Sequence, residues 1–138
     1  DTEYVFDFDR MLALNGNTGP YLQYAVARIR SIFRRGGVDP AQAAGPVLVT
    51  EPAERALALK LLGFGPTVAQ VGDTLEPHRL CAYLFDLAQA FTAFYEACPV
   101  LKADRDEVRA SRLALTAVTL ATLVKGLDLL GVRAPEQM

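Results

Sequence analysis

Apolar residues along this chain recur at steps of three and four, and no run of strict apolar/polar alternation is long enough to argue for a sheet. The pattern predicts an all-α domain, a bundle of about five to six helices. Phe8, Met11 and Leu12 suggest a short helix from about Tyr4 to Leu14, closed by the loop signal Asn15 to Gly19. Pro20 opens a second helix from its first turn, where a missing N–H costs nothing. This helix runs to about Arg35, with Gly36-Gly37 as breaker and left-handed cap, and Arg34 and Arg35 complementing the dipole. The small, almost uncharged stretch from Val38 to Val49 reads as a connecting loop.

Glu51 and Pro52 start a third helix, with Leu57, Leu61 and Leu62 as its expected stripe and Gly63-Phe64-Gly65-Pro66 as its stop. A short fourth helix follows to about Gly72. Thr74 then opens a long fifth helix carrying Leu80, Leu84, Leu87, Phe91 and Phe94, the expected core element. Pro99 predicts a sharp corner at Cys98-Pro99-Val100-Leu101. The last helix, about Asp104 to Leu130, buries Leu113, Leu120, Leu123, Leu127 and Leu130, places acids in its first turn, and is capped by Gly131.

Length and composition then bound the class. At 138 residues, with 51% hydrophobic and 22% charged, residues 1–138 read as a single domain able to bury a core. The balance of 14 basic against 16 acidic residues gives −2, which excludes binding of nucleic acid by bulk charge and requires a local patch. The longest uncharged apolar run, Leu113 to Val124, is too short to cross a bilayer, and the acidic start Asp1-Thr2-Glu3 lacks the features of a secretory signal. A cytoplasmic protein is expected, with no membrane partner. Cys81 and Cys98 fall near opposite ends of one predicted helix, about 25 Å apart, so reduced structural thiols are expected rather than a disulfide.

Catalytic chemistry is poorly supplied. His78 is alone, neither cysteine has a metal-ligating neighbour at the required spacing, and Gly16 and Gly19 lack the remaining elements of a dinucleotide fingerprint. No catalytic residue, metal site or cofactor is assigned. Binding chemistry is better represented: Tyr21, Tyr24 and Arg28 follow at steps of three and four along one side of the second helix, with Arg35 seven further on. Rings and guanidinium groups on one stripe suit RNA, whose bases stack and whose phosphates accept paired Arg donors. The same tyrosine spacing also fits half-buried packing. Arg105, Arg109 and Arg112 form a second basic stripe on the last helix, which read alone is a solvated face pairing with Asp106 or Glu107.

Several blocks then resemble a known family. Gly16-Asn17-Thr18-Gly19-Pro20-Tyr21-Leu22-Gln23-Tyr24-Ala25 with Ala27-Arg28-Ile29 is similar to the helix that begins the C-terminal region of arginyl-tRNA synthetases. Glu76 to Leu80, Tyr83 to Ala88, Phe94-Tyr95 and Cys98 to Leu101 resemble that region's middle. Arg109, Ser111 to Leu115, Gly126 to Val132, Ala134 to Glu136 and Met138 resemble its closing helix and tail. The blocks keep the family's order and cover nearly the whole chain outside the Val38 to Val49 loop.

The resemblance implies a DALR-type anticodon-binding domain, an α-helical bundle that grips the anticodon arm of tRNA for arginine, tRNA(Arg). It also implies an upstream class I catalytic domain that uses ATP to join arginine to that tRNA. The catalytic signatures HIGH and KMSKS are absent from this chain, and a monomer that binds no DNA is expected. By matched position, Cys98, Pro99, Val100, Lys102 and Met138 would surround anticodon bases, with Asn17, Tyr21, Tyr24, Arg28, Arg109 and Arg112 as further RNA-facing candidates. Two positions depart from the family pattern, Val26 for a usual histidine and Gln137 for a common arginine, each removing a polar contact. The alternative reading is a stand-alone, non-catalytic module for RNA or protein binding derived from this domain.

Overall fold

The side-chain periodicity becomes helices whose apolar stripes converge on one another. The computed structural model describes residues 18–134 and 136, and among these it forms α1 (Thr18–Gly36), a 3₁₀ turn (Pro40–Gln42), α2 (Pro52–Leu62), α3 (Phe64–Thr74), α4 (Pro77–Ala97) and α5 (Asp106–Leu129). There is no strand among the described residues. The helix expected over Tyr4 to Leu14, and Asn17, Gln137 and Met138, lie outside them.

α4 is the central element and packs against α1, α2, α3 and α5. Its Leu80, Leu84, Leu87, Phe91 and Phe94 are buried, as the spacing predicts, and meet Leu22, Val26, Ile29, Ile32 and Phe33 of α1. From α5, Leu113, Leu120, Leu123 and Leu127 complete the core, followed by Leu130 just beyond the helix. α5 is long and apolar enough to cross a membrane by length and composition alone, but most of its apolar window is buried within the bundle. Its hydrophobicity is therefore accounted for by internal packing. Val26 is among the fully buried residues, so the valine that departs from the family pattern fills the core and displaces no surface contact.

Two helix ends share one device. Gly37 and Gly131 adopt left-handed backbone (φ 64° and 75°) that a side chain would strain. After α1, the Gly37 N–H donates to Arg34 O and the Val38 N–H to Phe33 O, both at 3.1 Å. After α5, Gly131 donates to Asp128 O (2.9 Å) and Val132 to Leu127 O (2.8 Å), the same paired closure of orphan carbonyls.

Other boundaries correct the sequence reading. α1 begins at Thr18, two residues before Pro20. Phe64-Gly65-Pro66, expected as a stop, instead forms the first turn of α3, with Gly63 alone separating it from α2. A proline in a first turn gives up no helical hydrogen bond, so the same residues that break one helix can open the next. α3 runs on to Thr74, and α4 starts at Pro77. Within α2, Leu57 is buried but Leu62 is 75% exposed. Five residues turn a helix about 140° past a full revolution, so the two leucines cannot share a face.

α3 ends on Leu75, whose φ of 56° is left-handed and whose side chain is 81% exposed. Leu75→Gly should therefore raise the unfolding free energy by about 1 kcal/mol, readable in urea denaturation, because it relieves backbone strain without opening a cavity. At Gly126 the opposite holds, since a Cβ there would lie 2.6 Å from Cδ2 of the buried Leu84. Gly126→Ala should lower stability by about 1–2 kcal/mol in the same assay, with overpacking exceeding the gain in helix propensity.

Candidate nucleic-acid interface

The Cys98–Ala103 corner, the start of α5, the segment before α2 and the end of α1 meet at one end of the bundle, and an ion pair organises the junction. Glu54, in the first turn of α2, is 1% exposed, and Arg112 of α5 is 8% exposed. Oε1 of Glu54 accepts from the Glu51 N–H (2.7 Å), the Thr50 N–H (2.9 Å) and the Thr50 hydroxyl (3.0 Å), while Oε2 accepts from Nε of Arg112 at 2.8 Å. Nη1 of Arg112 donates to the Pro99 carbonyl, also at 2.8 Å. Burial alone would raise the Glu54 carboxyl, but the hydrogen bonds from Arg112, Thr50 and Glu51 outweigh it and hold the group below its ordinary value.

This arrangement corrects the reading of the α5 basic stripe. Arg105 is exposed and pairs with Glu107 (3.4 Å), Arg109 is half-buried and donates from Nε to Leu101 O (3.2 Å), and Arg112 is turned inward. Helical spacing aligned three guanidinium groups, but the neighbouring elements cover them to different depths. The corner is divided in the same way. Cys98 and Val100 are buried in the core, while Pro99 and Lys102 are exposed. The two inward residues therefore support the turn and do not offer side chains to a ligand. Both cysteines are free and buried, and burial pushes each thiol upward, with Arg112 partly offsetting this at Cys98.

A cleft of about 340 Å³ opens over the corner, with Thr50, Pro99, Lys102, Asp104, Arg105 and Arg112 among its walls. The end of α1 fits beside it so closely that a Cβ on Gly36 would lie 2.6 Å from Leu101 Cδ2. Tyr21 is half-buried, its ring 5.1 Å from that of Phe85, which fits the packing reading of that tyrosine. Tyr24 is 58% exposed. Arg28 lies over the Tyr95 ring at 5.6 Å, and Nη2 of Arg35 donates to the Tyr95 hydroxyl at 3.4 Å.

The C-terminal segment runs along α1 toward the same end. Gln23 Nε2 donates to Arg133 O (2.9 Å), Arg30 Nη1 to Ala134 O (3.2 Å), and Arg34 Nη1 to Glu136 O (3.4 Å). The run of positive charge on α1 is thus shared between the tail, held by Arg30 and Arg34, and Tyr95, held by Arg28 and Arg35. Sequence reasoning missed Glu54, Tyr95 and Gln23. An acidic residue three positions after the Glu51 cap is a legible helix-start signal for Glu54, but nothing local announces its burial. His78 borders a separate hollow of about 220 Å³ with Cys81 and Asp86, and no cluster of metal-ligating type is present among the described residues.

The model of the family described as the DALR anticodon binding domain matches residues 22–138. The chain belongs to this family. The DALR domain described here is 91% identical over 138 residues to the arginine–tRNA ligase of Thermobifida fusca (strain YX), spanning all of this chain and 24% of that protein. It is 58% identical over 136 residues to the arginine–tRNA ligase of Frankia casuarinae, covering 99% of this chain and 23% of that protein. Among solved structures it is similar to the Thermus thermophilus arginyl-tRNA synthetase, with a TM-score of 0.79 at 42% identity, over 96% of this chain and 23% of that one. The chain spans about a quarter of the length of the relatives it matches.

Removing one partner of a buried ion pair leaves an uncompensated charge, at a cost of about 3–5 kcal/mol. Because the Glu54 carboxyl is lowered in the folded state, its stabilising contribution is fully present above the unfolded value of about 4.3 and is lost as pH falls through the lower folded value. Glu54→Gln should therefore be destabilised at neutral pH, and its gap to the native protein should close below about pH 4, measured by urea unfolding between pH 7 and pH 3.

Proposed function

We propose that this domain holds the anticodon arm of tRNA for arginine and so supports an arginine–tRNA ligase of the kind its relatives represent. The observation that carries the reading is the convergence, at one end of the bundle, of exposed or half-buried cations (Arg28, Arg35, Lys102, Arg105, Arg109) and a cleft, with the exposed ring of Tyr24 about one turn before Arg28 on α1. Loop nucleotides are unstacked, so their faces and edges are free for rings and hydrogen-bonding groups, whereas duplex RNA hides them. A flat guanidinium held against Tyr95 keeps donors available for phosphate at reduced conformational cost.

In this reading Tyr24 offers a stacking face, Arg28, Arg35 and Lys102 bind phosphate, and Pro99 with the exposed walls of the cleft, Thr50 and Asp104, receives a base. Asp104 in the cleft disfavours a phosphate there and favours the amino edge of a base. Met138, matched to the family's terminal methionine, adds a polarizable apolar surface for a base. Arginine activation with ATP belongs to a catalytic domain in the same polypeptide, and this segment contributes recognition. A cytoplasmic translation enzyme acting as a monomer, without DNA or membrane as partner, completes the reading.

The test is titration of a fluorescent tRNA(Arg) anticodon stem-loop at several salt concentrations. Lys102→Ala and Arg28→Ala should each weaken binding about fivefold and reduce the slope of log K against log salt by about one. Native-like affinity and slope in both variants would refute this placement of the RNA.

A further inference from the structure

Arg112 satisfies two acceptors from separate elements with one planar group. Nε meets Glu54 of α2 and Nη1 meets the carbonyl of Pro99 in the corner, each at 2.8 Å. Its neighbour Ser111 fixes the segment before α2, accepting from the Leu48 N–H at 2.7 Å, and Glu54 then fixes Thr50 through two further bonds. Two adjacent residues of α5 therefore hold both sides of the cleft, Thr50 on one side and Pro99 on the other. Lys102, the exposed cation of that corner, is carried by a turn whose other backbone closure is the Ala103 N–H to Val100 O at 3.3 Å.

We propose that Arg112, held by Glu54, is a positioning residue: it sets the Pro99 corner in the geometry that receives RNA, and does so without touching the RNA. This rests on the anticodon-arm reading of the same cleft. Two donors of Arg112 face inward, and the side chain is nearly closed off from solvent. A lysine cannot substitute, because a single ammonium lacks the fixed fork that spans a carboxylate and a carbonyl in one plane. Glutamine at position 54 keeps the shape of its partner but removes the charge that directs the fork.

The test uses the full-length protein, with Glu54→Gln and Arg112→Lys compared against the native chain and Lys102→Ala. Stem-loop affinity is measured across salt concentrations with the tRNA(Arg) anticodon and with a substituted anticodon. Backbone hydrogen exchange is followed at Ala103 in the corner and at Phe91 in the core. Both variants of the pair should bind about tenfold more weakly, equivalent to about 1.4 kcal/mol. They should lose discrimination between the two loops, keep the native salt slope, and exchange faster at Ala103 through a local opening that exceeds the loss of protection at Phe91, where the loss matches the fall in global stability.

Native affinity and discrimination in a folded Glu54→Gln protein would overturn the proposal. So would a salt slope reduced like that of Lys102→Ala in a third variant, Arg112→Gln, which removes the charge that Arg112→Lys keeps; this would make Arg112 a direct phosphate contact. Failure of both variants to fold, or equal loss of protection at Ala103 and Phe91, would reduce the pair to a general core role and overturn it as well. If the native protein itself does not bind the stem-loop, the functional reading fails first, and this inference falls with it.

Discussion

Glu54 carries a carboxylate into an apolar bundle, where an unpaired charge costs several kcal/mol, and the surrounding structure is arranged to meet it. Its donors come from the Thr50–Glu51 segment and from α5, and the α5 donor reaches onward to the corner after α4. Three stretches distant in sequence are thereby held in one place. Apolar packing sets how closely α5 approaches α4, as at Gly126 and Leu84, and the ion pair adds a directional constraint between α2, α5 and the corner. A charged pair with several short bonds admits one register. It follows that the cleft over Pro99 is shaped by the interior and does not depend on its exposed residues to hold it open.

The charge distribution has a related logic. A net charge of −2 gives no general attraction for RNA, yet α1 carries only basic charges toward the corner, whereas at the start of α5 Lys102, Arg105 and Arg109 are interleaved with Asp104, Asp106 and Glu107. Arg34 and Arg35 occupy the last turn of α1, where the negative end of the helix dipole already favours them. Tyr95 of α4 then engages Arg28 through its ring and Arg35 through its hydroxyl. Helix-end electrostatics thus places positive groups at this end, and an aromatic ring from a neighbouring helix orients them.

The fold was largely legible because each helix carries its own apolar stripe and two carry a glycine at the left-handed closing position. The long stripe from Leu80 to Phe94 and the caps at Gly37 and Gly131 are local signals, readable without knowing what they pack against. Pro20 lies in the first turn of α1 as read, but Pro66, read as part of a stop, lies in the first turn of α3, since the same residue type suits both a helix end and a helix start. At the site, family resemblance located the corner but not the direction of its side chains. Pro99 and Lys102 face outward while Cys98 and Val100 face the core, a distinction set by a turn whose geometry depends on Arg112. Glu54 and Arg112 are 58 residues apart, and no local pattern connects them.

The approach of Gly36 to Leu101 bears on how such a surface would receive a flexible loop in the proposed role. A Cβ at position 36 would meet the end of the Leu101 side chain, which would have to turn out of its seat against α1. A single-stranded RNA loop loses conformational freedom when its bases are captured, and each mobile protein side chain that must also be ordered adds about 0.5–1.5 kcal/mol to that cost. Here the protein's share is reduced in advance: α1 is fitted against the corner, Arg28 rests on a ring, and the corner's carbonyl is held from below by a buried guanidinium. Under the proposed function, the binding energy of a few stacked bases and phosphates would then be directed to ordering the RNA loop.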